Sequence, residues 1–112
     1  MKVPHLNRAL ELQRAVQSPD GAGGFTTSWE SLGTLWAEVR PGSGRDVAGE
    51  ELVLTSTPYR ITVRAAEVGA EARPQPGQRF LESSRVFAVL AVSERDPAGL
   101  YLTCFCREEA PQ

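Results

Sequence analysis

From Val53 to Val63 every second residue favours an extended chain: Val53, Thr55, Thr57, Tyr59, Ile61 and Val63. A helix would scatter these six side chains around its circumference. A strand, with its side-chain period of two, gathers them on one face and leaves Arg60, Thr62 and Arg64 on the other. Such a strand needs neighbours for its backbone groups and a core for its apolar face, so the rest of the chain must supply more strands. Pro58 has no N–H to give to a ladder and is expected at an edge or a bulge.

The other segments meet that demand. Residues 8–16 put Leu10, Leu12 and Val16 on one face and Glu11 and Gln13 on the other, with Arg14 interrupting the apolar side. A strand is expected there, and a helix is the competing reading because Ala, Leu, Glu and Gln favour one. Residues 32–40 align Leu35, Ala37 and Val39 against Thr34, Trp36, Glu38 and Arg40, and Pro41-Gly42-Ser43-Gly44 ends that strand. Residues 79–82 form a short strand. Residues 85–93 and 100–106 are apolar on both faces and are joined by Asp96-Pro97-Ala98-Gly99, a type I turn pattern. They predict an antiparallel hairpin that must be covered on both sides.

Residues 17–28, with Pro19, Asp20 and three glycines, and residues 65–78, with Pro74, Pro76 and Gly77, are expected as long loops. Residues 45–51 leave room for one short helical turn. The expectation is an all-β fold: a small antiparallel β-barrel or sandwich of five to six strands with long loops and at most one short helix.

A chain of 112 residues has the size of one domain, expected over 1–112 with tails at 1–7 and 108–112. It buries roughly 65% of its unfolded surface, enough for a core without staples. No apolar stretch reaches the ~18 residues that span a bilayer. The first ten residues lack the apolar run of a signal peptide, so the cytoplasm is the expected compartment. A formal net charge of −2 argues against a protein that grips phosphate backbones. Lys2 is the only lysine among twelve basic residues. Arginine suits bidentate pairing with carboxylates at interfaces, although a GC-rich genome gives the same bias.

Cys104 and Cys106 fall on the same face of a strand with Cα atoms about 6.6 Å apart, at the far edge of disulfide geometry. Two thiols cannot complete a zinc site, and His5, the only histidine, is remote in sequence. They are expected as small core residues. The Gly21–Gly24 run is followed by Phe25 and carries no lysine, so it is no phosphate loop. Glu50-Glu51 and Glu108-Glu109 are consecutive residues whose side chains diverge. Neither catalysis, a cofactor nor a metal is expected.

Several segments, taken in order, resemble one family. They are Leu6-Asn7-Arg8 leading into Leu10–Val16, the loop Asp20–Gly24, and Trp29-Glu30. They continue with Leu35-Trp36-Ala37-Glu38-Val39 followed by Pro41 and Ser43-Gly44-Arg45, then Tyr59-Arg60-Ile61-Thr62-Val63-Arg64, and last Leu100–Cys104. This series is similar to the phage head–tail joining proteins, also called head-closure or stopper proteins. One departure is Ser83-Ser84, where the family usually has a glycine turn.

The resemblance implies a structural virion protein of a tailed phage, prophage or gene transfer agent, assembled in the bacterial cytoplasm. It implies a homo-oligomeric ring of six or twelve copies between the portal or its adaptor and a tail terminator or tail-tube protein. DNA enters only as channel contents, and no membrane is involved. A tail terminator is the alternative within virion assembly. A small β-barrel binding single-stranded nucleic acid is the alternative outside it.

Candidate interface residues are Asp20, Phe25, Trp29, Trp36, Arg45, Asp46, Glu50, Arg60 and Arg64. Trp29 and Trp36 are candidate anchors because tryptophan concentrates interface energy. The alternative is packing beneath loops of their own domain, and it is preferred for Trp36. Arg60 and Arg64 either face solvent, touch DNA or pair with acidic residues of a neighbouring subunit. Subunit pairing is the preferred functional reading, because DNA must slide through a channel without tight phosphate binding. The segment Ser18–Ser28 is expected to order on assembly, since fixing its glycines costs about 1–2 kcal/mol of backbone entropy per residue. An ordinary flexible hairpin loop is the other possibility.

Overall fold

A computed structural model describes residues 3–42 and 56–109 of the chain. Six strands carry the fold: β1 (Arg8–Pro19), β2 (Phe25–Pro41), β3 (Ser56–Arg64), β4 (Arg79–Glu82), β5 (Arg85–Glu94) and β6 (Tyr101–Glu109). Every pairing is antiparallel, and the order β1-β2-β3-β6-β5-β4 closes into a barrel through β4 on β1. No helix occurs among the described residues. The helical turn expected at 45–51 lies outside them, as do Val53 and Thr55.

Alternation decides what goes inside. Leu10 and Leu12 of β1, Ala37 of β2, Ile61 and Val63 of β3, Phe80 of β4, Phe87 and Val89 of β5, and Leu102, Cys104 and Cys106 of β6 form one buried core. Both cysteines are the small core residues their spacing predicts. Loss of hydration pushes the Cys104 thiol up to about 12 and Cys106 higher still, so neither ionises near neutral pH.

One barrel end is closed by charge. The Arg85 guanidinium grips Glu108 in a two-pronged pair at 2.8 and 3.1 Å, donates to Tyr59 Oη at 3.2 Å, and lies 4.9 Å from the Phe87 ring centre. Arg8 pairs with Glu82 beside it. These guanidiniums hold the Glu82 and Glu108 carboxyls below the usual carboxylate range. Because β6 runs to Glu109, Glu108 is a strand residue with a partner and not the start of a tail.

Pro58 is not on an edge strand, since β3 lies between β2 and β6. It sits one residue beyond the last β2–β3 pair, Pro41 with Tyr59, and its carbonyl accepts from Gly42 N at 2.9 Å. The missing N–H thus falls where that ladder is already ending.

The β5–β6 turn is the expected one. Gly99 N donates to Asp96 O at 3.0 Å, and the Asp96 carboxylate accepts from Leu100 N and Tyr101 N. At the β4–β5 turn, Ser83 adopts φ +54°, a left-handed conformation that suits glycine. Ser83→Gly is therefore expected to stabilise the protein by about 0.5–1 kcal/mol, read as a higher urea midpoint at unchanged slope.

The segment 17–28 departs from expectation. Most of it is not a loop, because β1 and β2 run past the barrel as a two-stranded arm that pairs Ser18 with Thr26 and Pro19 with Phe25. Only the turn 20–24 separates them. The Asp20 carboxylate builds that turn by accepting from Ala22 N at 2.7 Å and Gly24 N at 3.0 Å, while Asp20 N donates to Gly24 O. The Asp20 carboxylate thus engages the backbone of the glycine-rich turn from within the chain.

Candidate assembly interface

The arm's geometry depends on one irregularity. Trp36 and Trp29 are seven residues apart, so a regular strand would point them to opposite faces. Between them Leu12 pairs with Gly33 and Gln13 with Ser31, which leaves Leu32 as an extra residue in β2. Gly33 takes φ +117° at this bulge, a conformation closed to most side chains. Across the unbroken β1, the partners of Trp36, Trp29 and Phe25 are Ala9, Ala15 and Pro19, which all share one face. The bulge therefore places all three aromatic rings on the outer face of one ribbon. They are 60%, 37% and 67% exposed, respectively.

Trp36 is thus mostly exposed, and no loop among the described residues covers it. Trp29 is partly covered, because the Arg79 guanidinium stacks 4.0 Å from its ring centre. Arg79 Nε also donates to Gln13 Oε1 at 2.7 Å, and the Gln13 amide donates to Glu11. This chain of contacts fixes the arm at its root. On the opposite face Arg14 pairs with Glu30 at 3.1 Å.

A second surface is a groove of about 450 Å³ on the outer side of β2, β3, β6 and β5. Thr62, 6% exposed, is its floor. Arg40 and Arg60 face each other directly across β2 and β3, and Phe105 lies opposite Arg60 on β6. The Glu38 carboxylate takes the Arg40 Nε at 3.3 Å and accepts from His5 N at 2.9 Å. Arg95 Nη1 is buried and has no acceptor among the described residues. Arg64 shares the outer face with Arg60 but stays out of the groove, with its guanidinium 5.7 Å from the Tyr101 ring centre.

Of the sequence-derived candidates, then, Asp20, Phe25 and Trp29 lie on the arm, Trp36 at its base, and Arg60 in the groove. Arg45, Asp46 and Glu50 lie outside the described residues. Arg79, Glu38, Arg95 and Phe105 were not among the candidates. Glu38 and Arg40 follow Trp36 on its face by simple alternation and were findable. Arg95 and Phe105 reach the groove only through the pairing of β5, β6 and β3, which no local pattern reports.

Comparison with known proteins agrees with this architecture. A family model described as phage head completion protein matches residues 1–109. A chain from the virion of a native gene transfer agent particle is 55% identical, with a TM-score of 0.80 over 96% of this chain and 98% of that one. A protein of Shigella flexneri 2a, solved in solution, is 26% identical with a TM-score of 0.71 and full coverage of both chains. Among curated proteins nothing matches. Family match and virion neighbour agree on a structural protein of the head–tail joint, and the chain belongs to the phage head completion protein family.

Proposed function

We propose that the protein is a head-closure, or stopper, subunit whose copies form a ring, six being the preferred number and twelve the alternative. The ring binds the portal or its adaptor on one side and a tail terminator or tail-tube protein on the other. DNA passes as channel contents, and the protein acts by assembly without catalysing a reaction.

The observation that carries this reading is the arm. A two-stranded ribbon that leaves three aromatic rings 37–67% exposed adds none of them to the buried core, and isolated hairpins are marginal in water. A ribbon held rigid at its root has its use in contacts made outside the chain.

The barrel also has two unlike ends. The arm, the loop 65–78 and the β5–β6 turn leave one end. Residues 3–7, the β4–β5 turn and the strand ends at Gly42 and Ser56 belong to the other. Two different partners on opposite sides fit such a body.

Electron microscopy of particles lacking this protein tests the assignment. Tailless heads that have lost their DNA, beside free tails of normal length, are expected. Tails of uncontrolled length on intact heads would reassign the protein as a terminator.

A further inference from the structure

Beyond the barrel the arm is a ribbon with two open edges. β4 pairs with β1 only from Glu11 to Gln13, and β3 pairs with β2 only from Ala37 onward. Asp20 N donates to Gly24 O, and the carbonyls of Ser18 and Val16 accept from the Thr26 and Ser28 hydroxyls across the ribbon. These contacts fix the phase: Ser18 with Thr26 and Val16 with Ser28 are the pairs that exchange backbone bonds inside the arm. By alternation, the N–H and C=O groups of Phe25, Thr27 and Trp29 point away from β1, toward an edge that no strand occupies among the described residues. Ala15 and Gln17 do the same on the β1 side, where Pro19 adds a carbonyl.

Open edges are normally blunted by lysine, proline or repeated charge. From Phe25 to Ser31, β2 has no lysine and no proline, and its one charge is Glu30. Such an edge is a template for another strand.

The ribbon itself carries the matching strand. Copies turned about an axis along the arm point the same way, so β2 of one runs antiparallel to β1 of the next. Both edges present backbone groups at every second residue. An even register keeps the faces in common, with the aromatic rings on one side and Arg14 and Glu30 on the other. Glu30 then lies between the Arg14 it already holds and the Arg14 of the next copy, so opposite charges alternate along the junction. Pairing two β2 edges about a twofold axis would instead stop at two copies.

We propose that the open β2 edge of one arm, Phe25 to Trp29, pairs antiparallel with the open β1 edge of the next, Ala15 to Pro19. The two edges are different patches of one chain, so the contact is head-to-tail, and such contacts build closed rings when the rotation per subunit closes. The inference rests on the ring reading above and specifies how neighbours in the ring hold each other.

Cysteines on separate chains test it. Particles are assembled from a mixture of Thr27→Cys protein with Ala15→Cys, Gln17→Cys or Pro19→Cys protein, the three partners covering the even registers. Mild oxidation of one of these mixtures is expected to give a reducible dimer containing one of each chain. Particles of any single variant give none, because like strands lie two spacings apart, about 10 Å, beyond disulfide reach, and the native cysteines are buried. If both variants enter the particles and no mixture gives the dimer, pairing of arms is overturned. Glutaraldehyde treatment of those particles then separates the two ideas: homo-oligomers leave the ring standing, and their absence removes it too.

Thr27→Pro isolates the backbone, since the N–H it removes is unused within the arm. A melting temperature within about 2 °C of wild type is expected, with DNA-filled, tailed particles reduced at least about tenfold. Thr27→Val, which keeps the N–H, should retain the yield. Wild-type yield from Thr27→Pro would also overturn the pairing.

Discussion

Phe87→Ala is expected to destabilise the barrel by about 3–5 kcal/mol, as large as any single truncation in the core. The ring is fully buried among Leu10, Ile61 and the other core side chains. It also lies 5.3 Å edge-on from Tyr59 and beneath the Arg85 guanidinium. Removing it opens a cavity and takes away the surface on which the charged barrel end rests. Small domains have about 5–15 kcal/mol to lose, so a large share of the stability goes. The measurement is a urea midpoint at constant slope, with Phe87→Leu losing much less because it refills most of the volume. A loss below about 1 kcal/mol would mean that the core is not centred on this ring.

Much of the barrel is legible in the sequence because its strands obey period two. The run ending in Val63, the face of Leu35 and Ala37, and the Asp96–Gly99 turn each report local geometry directly. The arm is different. Gln17–Ser28 has the composition of a loop, and its glycines hide the fact that one carboxylate, Asp20, closes the turn while Thr26 and Thr27 continue the strand. The bulge at Leu32–Gly33 is hidden for a second reason. Parity along β2 reads correctly only when the pairing with β1 is known, and that register is a property of two segments together. Thus Phe25, Trp29 and Trp36 were recognisable one by one as candidates, but their common face was not. Trp36 resisted for a third reason. A strand shows that a side chain leaves the polar face, but whether anything lies over it depends on loops placed by the whole fold.

The double substitution Phe25→Ala/Trp36→Ala is expected to leave the isolated protein intact and to abolish particle completion. Neither side chain belongs to the core, and both are mostly exposed, so the melting temperature should move by no more than about 2 °C. Function should respond very differently. Aromatic anchors at the centre of an interface typically lose more than about 1 kcal/mol each on truncation. The proposed ring would repeat the same loss at every contact. For the proposed six-membered ring, the two truncations together weaken each contact by at least ~2 kcal/mol, or about 12 kcal/mol over six contacts, although no single contact is strong. DNA-filled, tailed particles should therefore fall by at least about 100-fold, counted by nuclease-protected DNA and electron microscopy. Trp36→Phe, which keeps a ring at the site, should recover much of the yield. Normal particle numbers from the double variant, with the variant present in the particles, would show that the exposed rings take no part in assembly. The arm would then need a different explanation for being built so far from the core it does not stabilise.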